Sequence, residues 1–273
     1  MSDNRAPESS YTLYVYYTRY SSWGARAQLV LEYFQIPYRV QYFNYTNPAL
    51  TPPPELTVLP VLDVAGDDDV AGAEDTPLRI ADSLAICELL AERHQDRALW
   101  PRDTRLRALA RVAAAQMHSG FAALRDAYPC NFVSRFEGPG VPRGGEAVAR
   151  DLAKLFSLWS RTRAAARKRL AQLGEADEGF LCGGFSIADA FFWPVLWRLR
   201  SYSVPLTGLD EDGVKWMETM WNHPVMKAQG REYFRQAQDP QTQMLPYDDV
   251  FKNTPGVESG KFTEDWSFKG PSP

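Results

Sequence analysis

The sequence has few cysteines and no long apolar run. Its 273 residues include three cysteines, Cys87, Cys130 and Cys182, which are far apart and outside any C-x-x-C pattern. An odd number with this spacing is typical of buried thiols in a reducing compartment and argues against a disulfide framework or a zinc site. No apolar stretch approaches the ~20 residues that span a bilayer, and the first residues, MSDNRAPESS, carry no apolar signal core. We therefore expect a cytoplasmic protein that neither enters membranes nor binds a metal.

The charge balance gives no reason to expect a nucleic-acid partner. The chain has 30 basic and 34 acidic residues, so its net charge is −4. A nucleic-acid surface requires an excess of positive charge, which this chain does not have. Hydrophobic residues make up 45% and charged residues 23%, a composition that can bury a globular core over one large or two ordinary domains.

The first 95 residues alternate strand and helix patterns. Aromatic and β-branched residues favour strands, and apolar residues at helical spacing favour helices. The acidic loop 65–76 is interpreted as a solvated hairpin loop. The pattern predicts β-α-β followed by β-β-α, with strands at 11–17, 38–43, 58–64 and 77–80 and helices at 24–34 and 83–93.

Beyond a linker around residues 94–103, the strand patterns stop. The sequence predicts only helices. The first covers 104–127, a second follows the loop 137–145 and reaches about Leu173, and three more cover 186–203, 211–221 and 225–235. A mixed α/β part followed by a helical part indicates two domains, 1–95 and 104–235. The tail 236–273 is aromatic and proline-rich, and disorder is favoured over wrapping a partner or covering a pocket.

Three local patterns in the first domain carry candidate chemistry. The turn 20–23 (YSSW) places hydroxyls at a helix N-terminus, where free N–H groups and the helix dipole stabilise an anion such as a thiolate. Leu59-Pro60 heads a strand, and a cis bond there would turn the Leu59 backbone toward an extended peptide ligand, whereas a trans proline would mark a strand edge. Asp82-Ser83 opens a helix and offers partners for an ammonium and a carboxylate, the two groups of a γ-glutamyl residue. Each pattern alone also fits an ordinary cap or strand end.

Together these patterns resemble the glutathione transferase superfamily. The stretch RIADSLAICELLAER is similar to the family's acid-serine helix, and GGFSIADAFFWPVLWRL resembles its helical-domain signature, in which Ser186 and Asp189 form a structural capping box. The segment AQMHSGFAALRDAYPCNF resembles a zeta-like branch that includes maleylacetoacetate isomerases and fungal natural-product enzymes. The resemblance covers roughly residues 11–235 and implies a thioredoxin-like α/β domain, an all-α domain and glutathione as cosubstrate.

The resemblance also implies a serine-type site in the turn. The zeta class carries S-S-C-S-W-R-V-R, and matching Trp23 and Arg26 of RYSSWGAR sets Ser22 against the last serine and Ser21 against the cysteine. Ser21 or Ser22 is therefore the expected thiolate partner, with Tyr20 as a third candidate because other classes use a tyrosine. The family's usual first serine falls on Arg19, a departure. Because the turn has no cysteine, thiol–disulfide chemistry is not expected.

The remaining site residues follow from the same resemblance. The residues expected to bind glutathione are Leu59, Pro60, Asp82 and Ser83. Many members have a lysine, glutamine or asparagine just before the proline segment that binds the glycine end of glutathione, and Val58, which stands there, cannot do so. The candidates to replace it at the glycine end are Gln41, Asn44, Asn47 and Thr57. Of these, Asn44 is included among the expected glutathione contacts. The electrophile pocket would contain His118, Ser119, Phe121 and Arg125.

The implied activity is addition of the glutathione thiolate to an electrophilic, unsaturated small molecule. Glutathione-dependent cis/trans isomerisation of a conjugated double bond is the main alternative, because both reactions need only an activated thiol and a shaped pocket. A non-catalytic binding protein of the same fold is a further alternative. A homodimer is implied by the family's usual assembly.

Overall fold

The computed structural model describes residues 10–65 and 77–270. Its N-terminal part contains a four-stranded sheet in the order β2-β1-β3-β4, in which β1 and β2 run parallel and the other neighbours are antiparallel. The elements are β1 (Tyr11–Tyr16), α1 (Ser22–Tyr33), β2 (Arg39–Phe43), β3 (Val61–Val64), β4 (Leu78–Ala81) and α2 (Ser83–Arg93). This thioredoxin-like order confirms the predicted fold class. Most of the predicted acidic loop, residues 66–76, lies outside the described residues.

The sheet buries one face of β1 against the helices. Burial alternates along β1, with Tyr11, Leu13 and Val15 buried. This period of two is what a strand with one core-facing side requires. These residues join the large apolar cluster that also contains residues of α1. A side chain at Gly24 would meet Val15 at 2.9 Å, so the N-terminus of α1 lies directly beside β1.

The C-terminal part is helical, with one small sheet in addition. The helices are α3 (Thr104–Ser119), α4 (Ala122–Ala127), α5 (Gly145–Leu173), α6 (Ile187–Ser201), α7 (Glu211–Asn222) and α8 (Pro224–Gln236). The single helix expected over 104–127 is wrong, because the chain breaks at Gly120 and Phe121 adopts φ +55°. A side chain at position 120 would meet the carbonyl oxygen of Gln116 at 2.6 Å, so the break depends on glycine there.

The tail is ordered over its described residues, and the expectation of disorder is wrong. After a 3₁₀ turn at Pro240–Thr242, it forms the short helix α9 (Leu245–Asp248) and the strand β6 (Glu258–Lys261). β6 pairs antiparallel with β5 (Ser134–Glu137), a strand that the sequence analysis missed. The tail stays folded because its aromatic side chains, such as Phe251 and Trp266, pack against the main apolar cluster.

The two parts meet along α1 and α6. Arg26 on α1 is fully buried, and its Nε donates to the carbonyl oxygen of Phe191 at 2.9 Å. On the same interface, Gln229 donates to Glu32 at 3.1 Å. The boundaries proposed for the two domains and the tail stay predictions. Among the described residues, none of the helices has both the length and the apolar character that a membrane crossing needs.

Candidate active site

A cavity of about 470 Å³ lies where α1 meets the helical part and the tail. One side is formed by the turn 20–23 and Leu59, and the other by Arg125, Asp126, Pro129, Cys130 and Arg198. Tyr16 and Tyr45, with Met244 and Tyr247 of the tail, complete the wall. Both candidate serines therefore open into a cavity with walls from both halves of the chain.

The two serines have different local roles. Ser21 is the N-cap of α1, and its hydroxyl accepts from the backbone N–H of Gly24 at 3.5 Å. Ser22 is the first residue of α1 and is 7% exposed. Its hydroxyl accepts from Nη2 of Arg198, also at 3.5 Å. Because a hydroxyl that accepts one hydrogen bond keeps its proton for another, either serine can donate into the cavity.

Tyr20 is directed to the tail. Its hydroxyl donates to the carboxylate of Asp248 at 2.7 Å and accepts from the backbone N–H of Met244 at 3.4 Å. Burial raises the pKa of Tyr20 far above its usual value. The phenol proton is therefore held by Asp248, and the arrangement does not favour Tyr20 as the thiolate donor.

The departure at Arg19 also has a structural explanation. The Arg19 guanidinium is buried and stacks over the ring of Tyr20 at 4.1 Å. It donates to the backbone carbonyl and the hydroxyl of Thr242, at 3.2 and 3.1 Å. Arginine at this position thus binds the tail.

The bond between Leu59 and Pro60 is cis, which selects one of the two alternatives from the sequence. Leu59 is half-buried and lines the cavity. Within the described chain its backbone N–H and C=O make no hydrogen bond to other residues. Val58 beside it is 59% exposed. The Leu59 backbone is thus accessible to an extended ligand.

Asp82 and Ser83 begin α2 as predicted. One oxygen of the Asp82 carboxylate accepts from the N–H groups of Leu84 and Ala85, at 2.7 and 3.2 Å, and the other lies 3.2 Å from Nε2 of His118. The backbone of Asp82 has φ +81°, a conformation that is costly for a residue with a side chain. Ser83 is 1% exposed, and its hydroxyl has no hydrogen-bond partner among the described residues.

The expected glutathione contact of Asn44 does not agree with the structure. Asn44 is 1% exposed, and its amide nitrogen donates to the carbonyls of Gln241 and Gln243 at 3.0 and 2.9 Å. Its amide oxygen accepts from the backbone and hydroxyl of Thr46. With both donor protons engaged, the side chain anchors the tail and has none left for a ligand.

The other residues considered for the glycine end of glutathione stay unassigned. Asn47 caps the 3₁₀ turn at Pro48–Leu50 by accepting from the N–H of Ala49. Gln41 and Thr57 are exposed, and neither lines the cavity.

Of the four expected electrophile-pocket residues, Arg125 alone lines the cavity. His118 lies behind the wall, with its ring 5.3 Å from that of Trp23. Ser119 donates back to the carbonyl of Ala115 at 2.9 Å and, with Phe121, faces a separate cavity against α5. The break at Gly120 explains this, because it turns the chain between α3 and α4 away from a continuous helical face.

The sequence analysis missed several residues of the cavity, among them Cys130, Arg198, Met244 and Tyr247. Arg198 had a usable signal, because it is a charged residue within the apolar helix FFWPVLWRL. Burial raises the pKa of the Cys130 thiol, although the neighbouring arginines lower it in part. Cys130 is therefore held in its neutral form.

Asp248→Ala is expected to release the tail from the cavity. The change leaves Tyr20 and Asn131 without their shared acceptor, which they contact at 2.7 and 2.9 Å. Loss of two partly buried bonds to a charged group should lower the opening free energy of the segment by about 2–3 kcal/mol, so its amide hydrogens should exchange about 30–150 times faster. Hydrogen exchange with mass spectrometry measures this rate. Asp249→Ala, which removes an exposed pair with Lys252, is the matched control and should change little. Equal exchange in both variants would contradict the anchoring role.

Comparison with known proteins agrees with this architecture. Residues 139–219 match the family model described as glutathione S-transferase, C-terminal domain. No curated protein sequence matches the chain.

Solved structures match over most of the chain at low identity. Maleylacetoacetate isomerase from Anaeromyxobacter dehalogenans 2CP-1, with bound dicarboxyethyl glutathione and citrate, is similar with a TM-score of 0.58 and 21% identity, over 86% of this chain and 97% of that one. A glutathione transferase homologue from Burkholderia gl BGR1 with bound glutathione is similar with a TM-score of 0.54 and 21% identity, over 84% of this chain and 98% of that one. Ure2p in complex with glutathione is similar with a TM-score of 0.55 and 18% identity, over 82% of this chain and 100% of that one. The chain therefore has the glutathione transferase fold, with a thioredoxin-like N-terminal part and a helical C-terminal part.

Proposed function

We propose that the protein is a glutathione transferase-type enzyme that adds the glutathione thiolate to an electrophilic, unsaturated small molecule. The observation that carries the proposal is the position of Ser21 and Ser22, whose hydroxyls lie at the N-terminus of α1 in the same cavity as Leu59. A thiol in this cavity would meet a helix dipole and hydroxyl donors, and both favour the thiolate.

Three groups fit the remainder of glutathione. The free backbone of Leu59 suits an extended cysteinyl backbone. The buried hydroxyl of Ser83, at the start of α2, can donate to the γ-glutamyl carboxylate. The Asp82 carboxylate is exposed and, beside its contact with His118, keeps acceptor capacity for the ammonium. A buried hydroxyl without a protein partner is unfavourable unless a ligand or water supplies one, so Ser83 supports the assignment.

Conjugation is the leading reaction, and cis/trans isomerisation is its alternative. In conjugation the sulfur–carbon bond stays in the product. In isomerisation the thiolate adds to a conjugated double bond, the resulting single bond rotates, and elimination returns glutathione. Similarity to a maleylacetoacetate isomerase structure supports keeping this second candidate. The serines in the cavity argue against a non-catalytic binding protein.

Product analysis tests the proposal and separates the two reactions. The purified protein is incubated with glutathione and either a haloarene or a conjugated cis-diene, while free thiol and products are followed by chromatography. Conjugation consumes thiol in proportion to product, whereas isomerisation changes the diene and leaves thiol constant. Absence of both changes across the panel, with glutathione bound, would favour the non-catalytic alternative.

We further propose a cytoplasmic homodimer, the assembly that the resemblance implies. Light scattering after size-exclusion chromatography should give twice the 30.9 kDa chain mass. A mass of one chain at micromolar concentration would contradict this assembly.

A further inference from the structure

Two arginines beside the serines are buried without an acidic partner. Arg26 and Arg198 are 0% and 5% exposed, and neither has an ion-pair partner among the described residues. Burial lowers the pKa of Arg26 to about 9, and the nearby charge of Arg198 contributes to the lowering. Arg26 therefore remains charged at neutral pH. Because burying a charge without a counter-charge is costly, a protein that keeps two of them together favours an anion nearby.

Arg198 is the one of the pair that reaches the cavity. Its Nε donates to the carbonyl of Tyr128 at 2.8 Å, and Nη1 donates to the carbonyl of Pro194 at 3.1 Å. These two bonds fix the guanidinium plane, so that Nη2 is aimed at the hydroxyl of Ser22 at 3.5 Å. Backbone carbonyls hold the group in place but do not neutralise its charge.

We propose that Arg198 is a positioning residue, which orients the Ser22 hydroxyl toward the glutathione sulfur and stabilises the thiolate with its charge. The inference rests on the proposed function and extends it, because it brings the stabilising charge from the helical domain rather than from the turn. In the step itself, the thiol S–H bond breaks, the proton leaves to solvent water, and the sulfur keeps the electron pair. The Ser22 hydroxyl keeps its proton and donates a hydrogen bond to the thiolate sulfur.

The same geometry distinguishes Ser22 from Ser21. Ser21 accepts from a neutral backbone N–H, whereas Ser22 accepts from a guanidinium, and a charged donor on the oxygen makes a hydroxyl a stronger hydrogen-bond donor. The other charges at the cavity are Arg125 and Asp126, both on α4. Arg125 donates to the carbonyl of Gly120 and lies over Trp23, so it adds positive charge without touching either serine.

The thiol pKa of bound glutathione tests the inference. Thiolate absorbance near 240 nm is titrated against pH in the complexes of the wild type, Arg198→Gln and Arg125→Gln, and glutathione affinity is measured separately by calorimetry. Arg198→Gln should raise the pKa of the bound thiol by about 1 to 2, as expected for loss of an opposite charge within a few ångströms. Arg125→Gln should raise it less, since it has no bond to Ser22.

Two results would overturn the inference while leaving the proposed function intact. One is an unchanged thiol pKa in an Arg198→Gln protein that binds glutathione. The other is an equal rise in both variants, which would assign the effect to general charge. No glutathione binding by the wild type would instead refute the proposed function.

A second variant guards against misfolding of Arg198→Gln. Arg198→Lys keeps the charge but cannot donate to Tyr128, Pro194 and Ser22 in the same fork geometry. Arg198→Lys should raise the pKa of the bound thiol by about 0.5 to 1. An unchanged thiol pKa in this variant would also count against the inference.

Discussion

Asp189→Ala is expected to lower the free energy of unfolding by about 3–5 kcal/mol, because it leaves several buried donors without an acceptor. Asp189 is 0% exposed and accepts from the backbone N–H groups of Leu181 and Ser186, at 2.8 and 2.9 Å. It also accepts from the Ser186 hydroxyl at 3.2 Å and from the indole N–H of Trp216 at 2.9 Å. One carboxylate therefore ties the start of α6 to α7 and to the loop before it.

Denaturant unfolding measures this loss, with Asp210→Ala as the matched control. Asp210 is the exposed N-cap of α7, and its carboxylate accepts from the backbone N–H of Gly213 at 2.8 Å. Its removal should cost about 1 kcal/mol, the usual contribution of a cap. Equal losses in the two variants would contradict the account of Asp189 as a buried anchor.

The second large effect concerns turnover. Ser22→Ala should lower kcat/KM for conjugation or isomerisation by about 100-fold, because the thiolate loses a preorganised hydroxyl donor at the helix N-terminus. The substitution removes one oxygen from a position that is 7% exposed. Affinity for glutathione should change little, since we propose that Leu59, Asp82 and Ser83 bind its backbone and γ-glutamyl groups.

Ser21→Ala is the control for this effect. It removes the N-cap of α1, so it should cost about 1 kcal/mol of stability while reducing turnover less than Ser22→Ala does. Steady-state kinetics with the substrate identified by product analysis gives both values. A larger loss of kcat in Ser21→Ala would transfer the thiolate contact to that residue.

The order of elements was predictable because local patterns determine it. The alternation of Tyr11, Leu13 and Val15 marks β1, and the capping box at Ser186 and Asp189 marks the start of α6. Mistakes arose where the chain departs from its local pattern. Apolar residues on both sides of Gly120 predict one helix, whereas the positive φ of Phe121 ends it. The strand at 134–137 needs a partner more than 100 residues away, which no local signal reveals.

The candidate site was predictable mainly in its N-terminal half, and Arg125 is the one predicted residue of the helical half that lines the cavity. The turn 20–23 and Leu59 carry their own signals as a helix start and a strand-heading proline. Asn44 was placed in the wrong role because its partners lie 197 and 199 residues further along the chain. The tail has no periodicity to show that it folds back, yet it supplies Met244 and Tyr247 to the cavity. Arg198 reaches Ser22 across 176 residues, a contact set by helix packing.

Calorimetric titration of the wild type and Ser83→Ala with glutathione tests the central claim most directly. The account predicts saturable binding of one glutathione per chain and an affinity about 10–150 times weaker in Ser83→Ala, because a hydrogen bond to a carboxylate is lost. Ser157→Ala, on the exposed face of α5, should bind like the wild type. No heat of binding in the wild type, or equal affinity in Ser83→Ala, would contradict the account.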